Sequence, residues 1–130
     1  MAGISPNEGE EFRLRAVLES RTFELMLITN ATIAETTTYG DLTEPSGGGY
    51  ARQDLAPGTW TYSPGQAENA QKTYQATGAA YSANPTGYAI VSKAADPLGQ
   101  KIVALELDPG GEVSMPDGAI YRITPTILAD

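Results

Sequence analysis

The sequence predicts an all-β fold, an antiparallel sandwich or jelly-roll-like single domain with one long irregular crossing. Three observations carry this. Short apolar segments recur about every 10–12 residues, as strands of sandwiches and barrels do. Fourteen glycines and nine prolines fall between them as turn signals. Several segments alternate apolar and polar residues with a period of two.

Residues 1–9 contain Gly, Pro, Asn and Glu and read as a flexible N-terminal arm, with the β domain spanning 10–130. Phe12, Leu14, Ala16 and Leu18 alternate with Arg13, Arg15, Val17 and Glu19, the pattern of a half-buried strand. A helix over 10–28 competes, since Leu, Glu and Arg are good helix formers. After Ser20 and Arg21, residues 22–29 read as a second, more buried strand. Residues 30–49 form the long crossing, with room for one helical turn between Tyr39 and Glu44 before Pro45 stops it. Ser46, Gly47, Gly48 and Gly49 read as a flexible link.

The second half reads as short strands between turns. Tyr50 to Leu55 precedes the turn at Ala56, Pro57 and Gly58. Thr59 to Tyr62 precedes Pro64 and Gly65, and a polar strand occupies 70–77. Residues 86–107 read as a hairpin about the turn Asp96-Pro97-Leu98-Gly99. Further turns fall at 108–111 and 115–118, and a last strand runs from Ala119 to Leu128 with Pro125 as a kink or edge marker. Leu14, Leu25, Leu27, Ile90, Val103, Leu105 and Ile123 are the expected core.

A chain of 130 residues is one domain's worth and needs no metal or disulfide staple. With no histidine it lacks the usual general base, metal ligand and pH switch, and with no cysteine it lacks thiolate chemistry. Sixteen acids against eight bases give a net charge of −8, which argues against nucleic acid. The longest apolar run, 25–28, is far too short to span a membrane. The opening Met-Ala-Gly-Ile-Ser-Pro has neither the basic nor the apolar region of a signal peptide, so none is expected.

The carboxylates Asp41, Glu44, Asp108, Glu112 and Asp117 lie in loops and near turns. Asp-Pro and Asp-Gly pairs there are ordinary turn chemistry, and the 108–113 stretch lacks the alternating ligands of a calcium loop. No catalytic, cofactor-binding or metal-binding residues are therefore expected. Seven tyrosines and one tryptophan are the remaining candidates for recognition. Tyr88 and Tyr121 sit within apolar strands and read as core. Tyr39, Tyr50, Trp60 and Tyr62, with Arg52, lie by loops and are the candidate partner-binding residues.

One ordered pattern goes further. A strand ending in Thr29-Asn30 is followed by Tyr39-Gly40-Asp41-Leu42-Thr43-Glu44 and then by Gly49-Tyr50-Ala51-Arg52-Gln53-Asp54-Leu55. Gly87-Tyr88-Ala89-Ile90-Val91 comes later, and Asp117-Gly118-Ala119-Ile120-Tyr121-Arg122-Ile123-Thr124-Pro125 closes the chain. Over about residues 23–128 this resembles a group of small β-rich virion proteins of tailed bacteriophages. Pro45 and the run Gly47-Gly48-Gly49 depart from that pattern. The resemblance implies a non-enzymatic particle component made in the host bacterial cytoplasm, without cofactors. Its expected role is capsid cement (decoration): a homo-oligomer, expected to be a trimer, that binds the major capsid protein or other virion proteins. A tail or baseplate component is the alternative in the same class. A carbohydrate-binding module stacking sugars on Trp60 and Tyr62 is the alternative from another class. The 30–55 crossing is expected to be solvated in the free protein and to order on the partner.

Overall fold

A computed structural model describes residue 4 and residues 6–129. It is mostly β, as the sequence predicts, and has nine strands in three antiparallel sheets with one short α-helix. The helix α1 spans Asn7–Leu18 and the strands are β1 (Phe23–Ile28), β2 (Gln53–Leu55), β3 (Trp60–Ser63), β4 (Gln66–Asn69), β5 (Lys72–Gln75), β6 (Gly87–Ser92), β7 (Ile102–Leu107), β8 (Ile120–Ile123) and β9 (Thr126–Leu128). The sheets have the orders β2-β1-β6-β7, β3-β4-β9 and β5-β8.

The central strands β1 and β6 of the four-stranded sheet are buried on both faces. Phe23, Leu25 and Leu27 of β1, with Tyr88 and Ile90 of β6, face the main core. There they meet Trp60, Ala67, Tyr74, Tyr121, Ile123 and Ile127 from the two smaller sheets. Met26 and Ile28, with Ala89 and Val91, face the other way and are covered by Ile33, Tyr39 and Leu42 of the crossing. Every residue of β6 is buried, as expected of a central strand with both faces covered.

The first segment is a helix, not the expected strand. Leu14 and Leu18, four residues apart, are its buried positions. Glu8 and Glu10 in its first turn and Arg15 in its last complement the helix dipole. Glu11 and Arg15 add an ion pair at 2.8 Å. Period-two alternation and an i,i+4 pair coexist in these residues, and the presence of a complementary surface on β3 and β4 selects the helix. The expected arm thus shortens: residues 7–9 belong to α1, and residues 1–3 and 5 lie outside the described residues.

Strand β4 was not expected, because Ala67 is its only apolar residue. It forms because Pro64 and Gly65, the latter at φ 74°, turn β3 back on itself with Ser63 opposite Gln66. Asn69, almost fully buried, donates to Thr59 Oγ1 at 2.8 Å. Pro125 divides the last strand into β8 and β9, so the kink expected there is present. Glycine is required at Gly87, where a Cβ would lie 2.0 Å from the Glu106 carbonyl oxygen of the neighbouring strand.

Leu14, Leu25, Leu27, Ile90 and Ile123 are buried as expected, but Val103 is 38 % exposed and Leu105 only half-buried. The cause is a β-bulge. Val91 pairs with Ile102 and Ile90 with Ala104, which leaves Val103 as the extra residue. The bulge reverses the parity of the strand: Ile102, Leu105 and Leu107 share the crossing's side, and Ala104 turns to the main core. In urea unfolding, Leu25→Ala should therefore cost about 2–5 kcal/mol. Leu105→Ala should cost about 1–2 kcal/mol, and Val103→Ala less than about 0.5 kcal/mol. Equal losses at positions 25 and 103 would contradict the bulge.

Candidate interaction surface

Three of the five predicted site residues meet. Arg52 lies just before β2, and its Nε and Nη2 both donate to the Glu44 carboxylate at 2.9 Å, a bidentate clamp. Nη2 also donates to the Tyr39 hydroxyl at 2.8 Å, and Nη1 reaches Glu24 of β1 at 3.4 Å. From the other side, the Tyr50 hydroxyl donates to Glu44 at 2.5 Å and accepts the Leu27 N–H at 3.0 Å. Strand β2 pairs only with Phe23, Glu24 and Leu25, so Tyr50 takes over a β1 donor past the point where β2 stops. Its ring stacks on Tyr74 and meets Tyr81 edge-on, with centroids 5.8 and 5.6 Å apart.

These contacts fasten the crossing onto the sheet. Thr29 N–H donates to the Thr43 carbonyl, Thr43 N–H to Asn30 Oδ1, and Thr38 and Asp41 cap the short 3-10 turn Tyr39–Asp41. The single helical turn expected there is thus present. Gly47, Gly48 and Gly49 are not a loose link. All three have positive φ, Thr77 N–H donates to the Gly48 carbonyl, and a Cβ at Gly48 would lie 2.7 Å from the Ala79 carbonyl oxygen. The expectation of a solvated crossing that orders only on a partner is corrected. It is ordered by the chain's own hydrogen bonds, because the apolar side of Met26 and Ile28 needs a cover.

The electrostatics follow from partial burial. Burial pushes the Glu44 carboxyl up, but Arg52 and the Tyr50 hydroxyl outweigh it and hold it below its ordinary value. Burial, followed by the Glu44 hydrogen bond, pushes the Tyr50 hydroxyl up, so it remains a neutral donor. Glu24 and Asp54 are opposed on adjacent strands, and Lys93 contacts both and relieves their repulsion.

Trp60 and Tyr62 lie elsewhere. Trp60 is 7 % exposed in the main core, its Nε1 buried without a hydrogen-bond partner among the described residues, so packing holds its side chain. Tyr62 anchors α1: its hydroxyl donates to Glu19 at 2.5 Å and the Arg15 guanidinium lies 4.2 Å over its ring. Trp60 is buried and offers no open face for stacking a sugar, and the Arg15 guanidinium lies over the ring of the half-buried Tyr62.

What faces solvent was not singled out from the sequence. The end of α1 and the β6–β7 hairpin enclose a groove lined by Ala16, Val17, Phe23, Leu98, Lys101 and Val103. Its volume of about 190 Å³ is below the roughly 300 Å³ of ordinary small-molecule sites, so it suits one or two side chains. Leu98 is 70 % exposed at its rim, and an apolar residue at the third position of the turn Asp96-Pro97-Leu98-Gly99 was the available signal. A second pocket, beside β7 and β8, places two tyrosine–carboxylate pairs together. Tyr121 donates to Asp108 at 2.9 Å and Tyr88 to Glu106 at 3.2 Å.

Among the described residues, no group of three or more acidic side chains gathers to hold a metal ion, and no helix is long and apolar enough to cross a membrane. Comparison of the chain with protein-family models, curated proteins and solved structures finds no match. The resemblance to phage virion proteins therefore stands on its residues alone.

Arg52→Ala should destabilise the fold by about 1–3 kcal/mol, because it leaves a part-buried carboxylate without its partner. The depressed pKa of Glu44 also fixes a pH dependence. The ionised carboxylate stabilises the fold above the ordinary carboxyl value of about 4.5, and this contribution is lost as pH falls through the lower, folded value. Denaturant titrations of the parent protein and Glu44→Gln between pH 7 and about pH 3 should show a shallower acid loss in the variant. Parallel curves would remove Glu44 from this role.

Proposed function

We infer that this protein is a structural component of a tailed-phage virion, a capsid cement protein acting as a homo-oligomer on the major capsid protein. The observation that carries this reading is the fastened crossing. Tyr39, Tyr50, Arg52 and Glu44, the groups most suited to recognition or chemistry, are spent on locking a loop over the sheet. That construction suits a rigid, acidic binding module more than a site that turns over a substrate. The ordered residue pattern shared with phage virion proteins supports the same reading.

Contact with the shell then comes from preordered surface. Thr32, Glu35 and Thr36 at the outer tip of the crossing are exposed. Rigidity of this tip lowers the entropy cost of binding, and many weak contacts repeated over a shell give a firm total. Among these, Thr32 and Thr36 have no hydrogen bond among the described residues that a substitution would break.

Thr32→Lys with Thr36→Lys should leave the circular dichroism spectrum and melting temperature of the free protein unchanged. The pair should lower its occupancy on purified capsids and the temperature at which those particles release DNA. Capsids lacking the protein that withstand heat equally well would remove the cement role. Recovery of the protein only on purified tails would replace it with the tail component.

A further inference from the structure

We propose that β7 is a self-association edge, along which two copies pair antiparallel about a two-fold axis with Lys101 of each opposite Glu106 of the other. Among the described residues β7 pairs with β6 alone and ends the four-stranded sheet, with β9 close by but not hydrogen-bonded to it as a strand. The other end of that sheet, β2, has only three residues and is guarded by the Asp54–Lys93 pair. An edge of six residues is a template for another strand.

The register follows from the bulge. In an antiparallel pair, residues directly opposite each other point to the same face of the sheet. In a regular strand Lys101 and Glu106, five positions apart, would point to opposite faces. The extra residue Val103 restores the match. Ile102, Leu105 and Leu107 lie on the crossing's side, while Ala104 lies on the main-core side and Glu106 meets the core residue Tyr88. Alternation from Ile102 places Lys101 on that same main-core side. Setting Lys101 against Glu106 then sets Ile102 against Leu105, again on one face, and Val103 against Ala104. A bulge ordinarily discourages edge pairing, but here it makes this two-fold register consistent in both charge and facing.

The charges needed are available. Lys101 is exposed and makes no ion pair among the described residues, and Glu106 is exposed with only the Tyr88 hydroxyl as partner. Two-fold symmetry forms the Lys–Glu pair twice. The exposed apolar side chains Val17, Leu98, Val103 and Leu128 border this edge, and a second copy supplies apolar surface to cover them. The net charge of −8 repels copies at long range, but that repulsion is screened beyond about 8 Å at physiological salt.

This gives the homo-oligomer of the virion reading a contact surface. It is tested on the isolated protein, so its failure leaves the capsid-occupancy result standing. Sedimentation equilibrium on the full chain from micromolar to millimolar concentration should show a monomer–dimer equilibrium. Lys101→Glu should weaken it about tenfold, Glu106→Lys should do likewise, and the double variant should recover most of the loss. Because Glu106 also meets Tyr88, Lys101→Glu decides the matter if Glu106→Lys melts early. A protein monomeric throughout, a trimer, or a dimer indifferent to Lys101→Glu would overturn the proposal. Amide exchange slowed along β7 at high concentration would support it.

Discussion

The structure depends on burying both faces of the β1–β6 strand pair. Phe23, Leu25 and Leu27 point one way, Met26 and Ile28 the other, and all five are almost fully buried. A sheet this apolar on two sides needs two covers. The two small sheets and α1 supply one, and the crossing supplies the second. The long connection is therefore a layer of the fold, which is why it carries apolar residues at Ile33, Tyr39 and Leu42 among its threonines.

A cover made of irregular backbone has few ladder hydrogen bonds and must be secured by side chains. Glu44 does this by joining two tyrosine-bearing segments through Arg52 and Tyr50. Among the described residues Arg15, Arg21, Arg52 and Lys93 form intramolecular ion pairs. The field presented to a partner is acidic, which favours basic surfaces and disfavours nucleic acid.

The bulge at Val103 links the packing of the core to the outer edge of the sheet. It turns Ala104 into the main core and lets the residues on either side serve the crossing's face. The same step leaves Val103 toward solvent on the edge strand of the sheet, near the exposed Leu98 of the turn. Val103 and Leu98 thus contribute exposed apolar surface beside the groove at the end of α1.

The sequence by itself determined the all-β class, most strand positions, the turns at Asp96-Pro97-Leu98-Gly99 and Pro64-Gly65, and the kink at Pro125. Each of these rests on local rules of alternation and backbone conformation, which act within a few residues. It also marked Tyr39, Tyr50 and Arg52 as residues with a task. Only the tertiary structure decided what that task is, since their common partner Glu44 is brought to them by chain return and not by spacing. The tertiary structure likewise made 7–18 a helix, because the surface of β3 and β4 rewards Leu14 and Leu18 on one side. It made 66–69 a strand despite its polar residues, and it shifted the inward face of β7 by one residue. Periodicity reports which side of a segment is apolar; where neighbouring surfaces lie, and whether a strand carries an extra residue, is set by contacts distant in the chain.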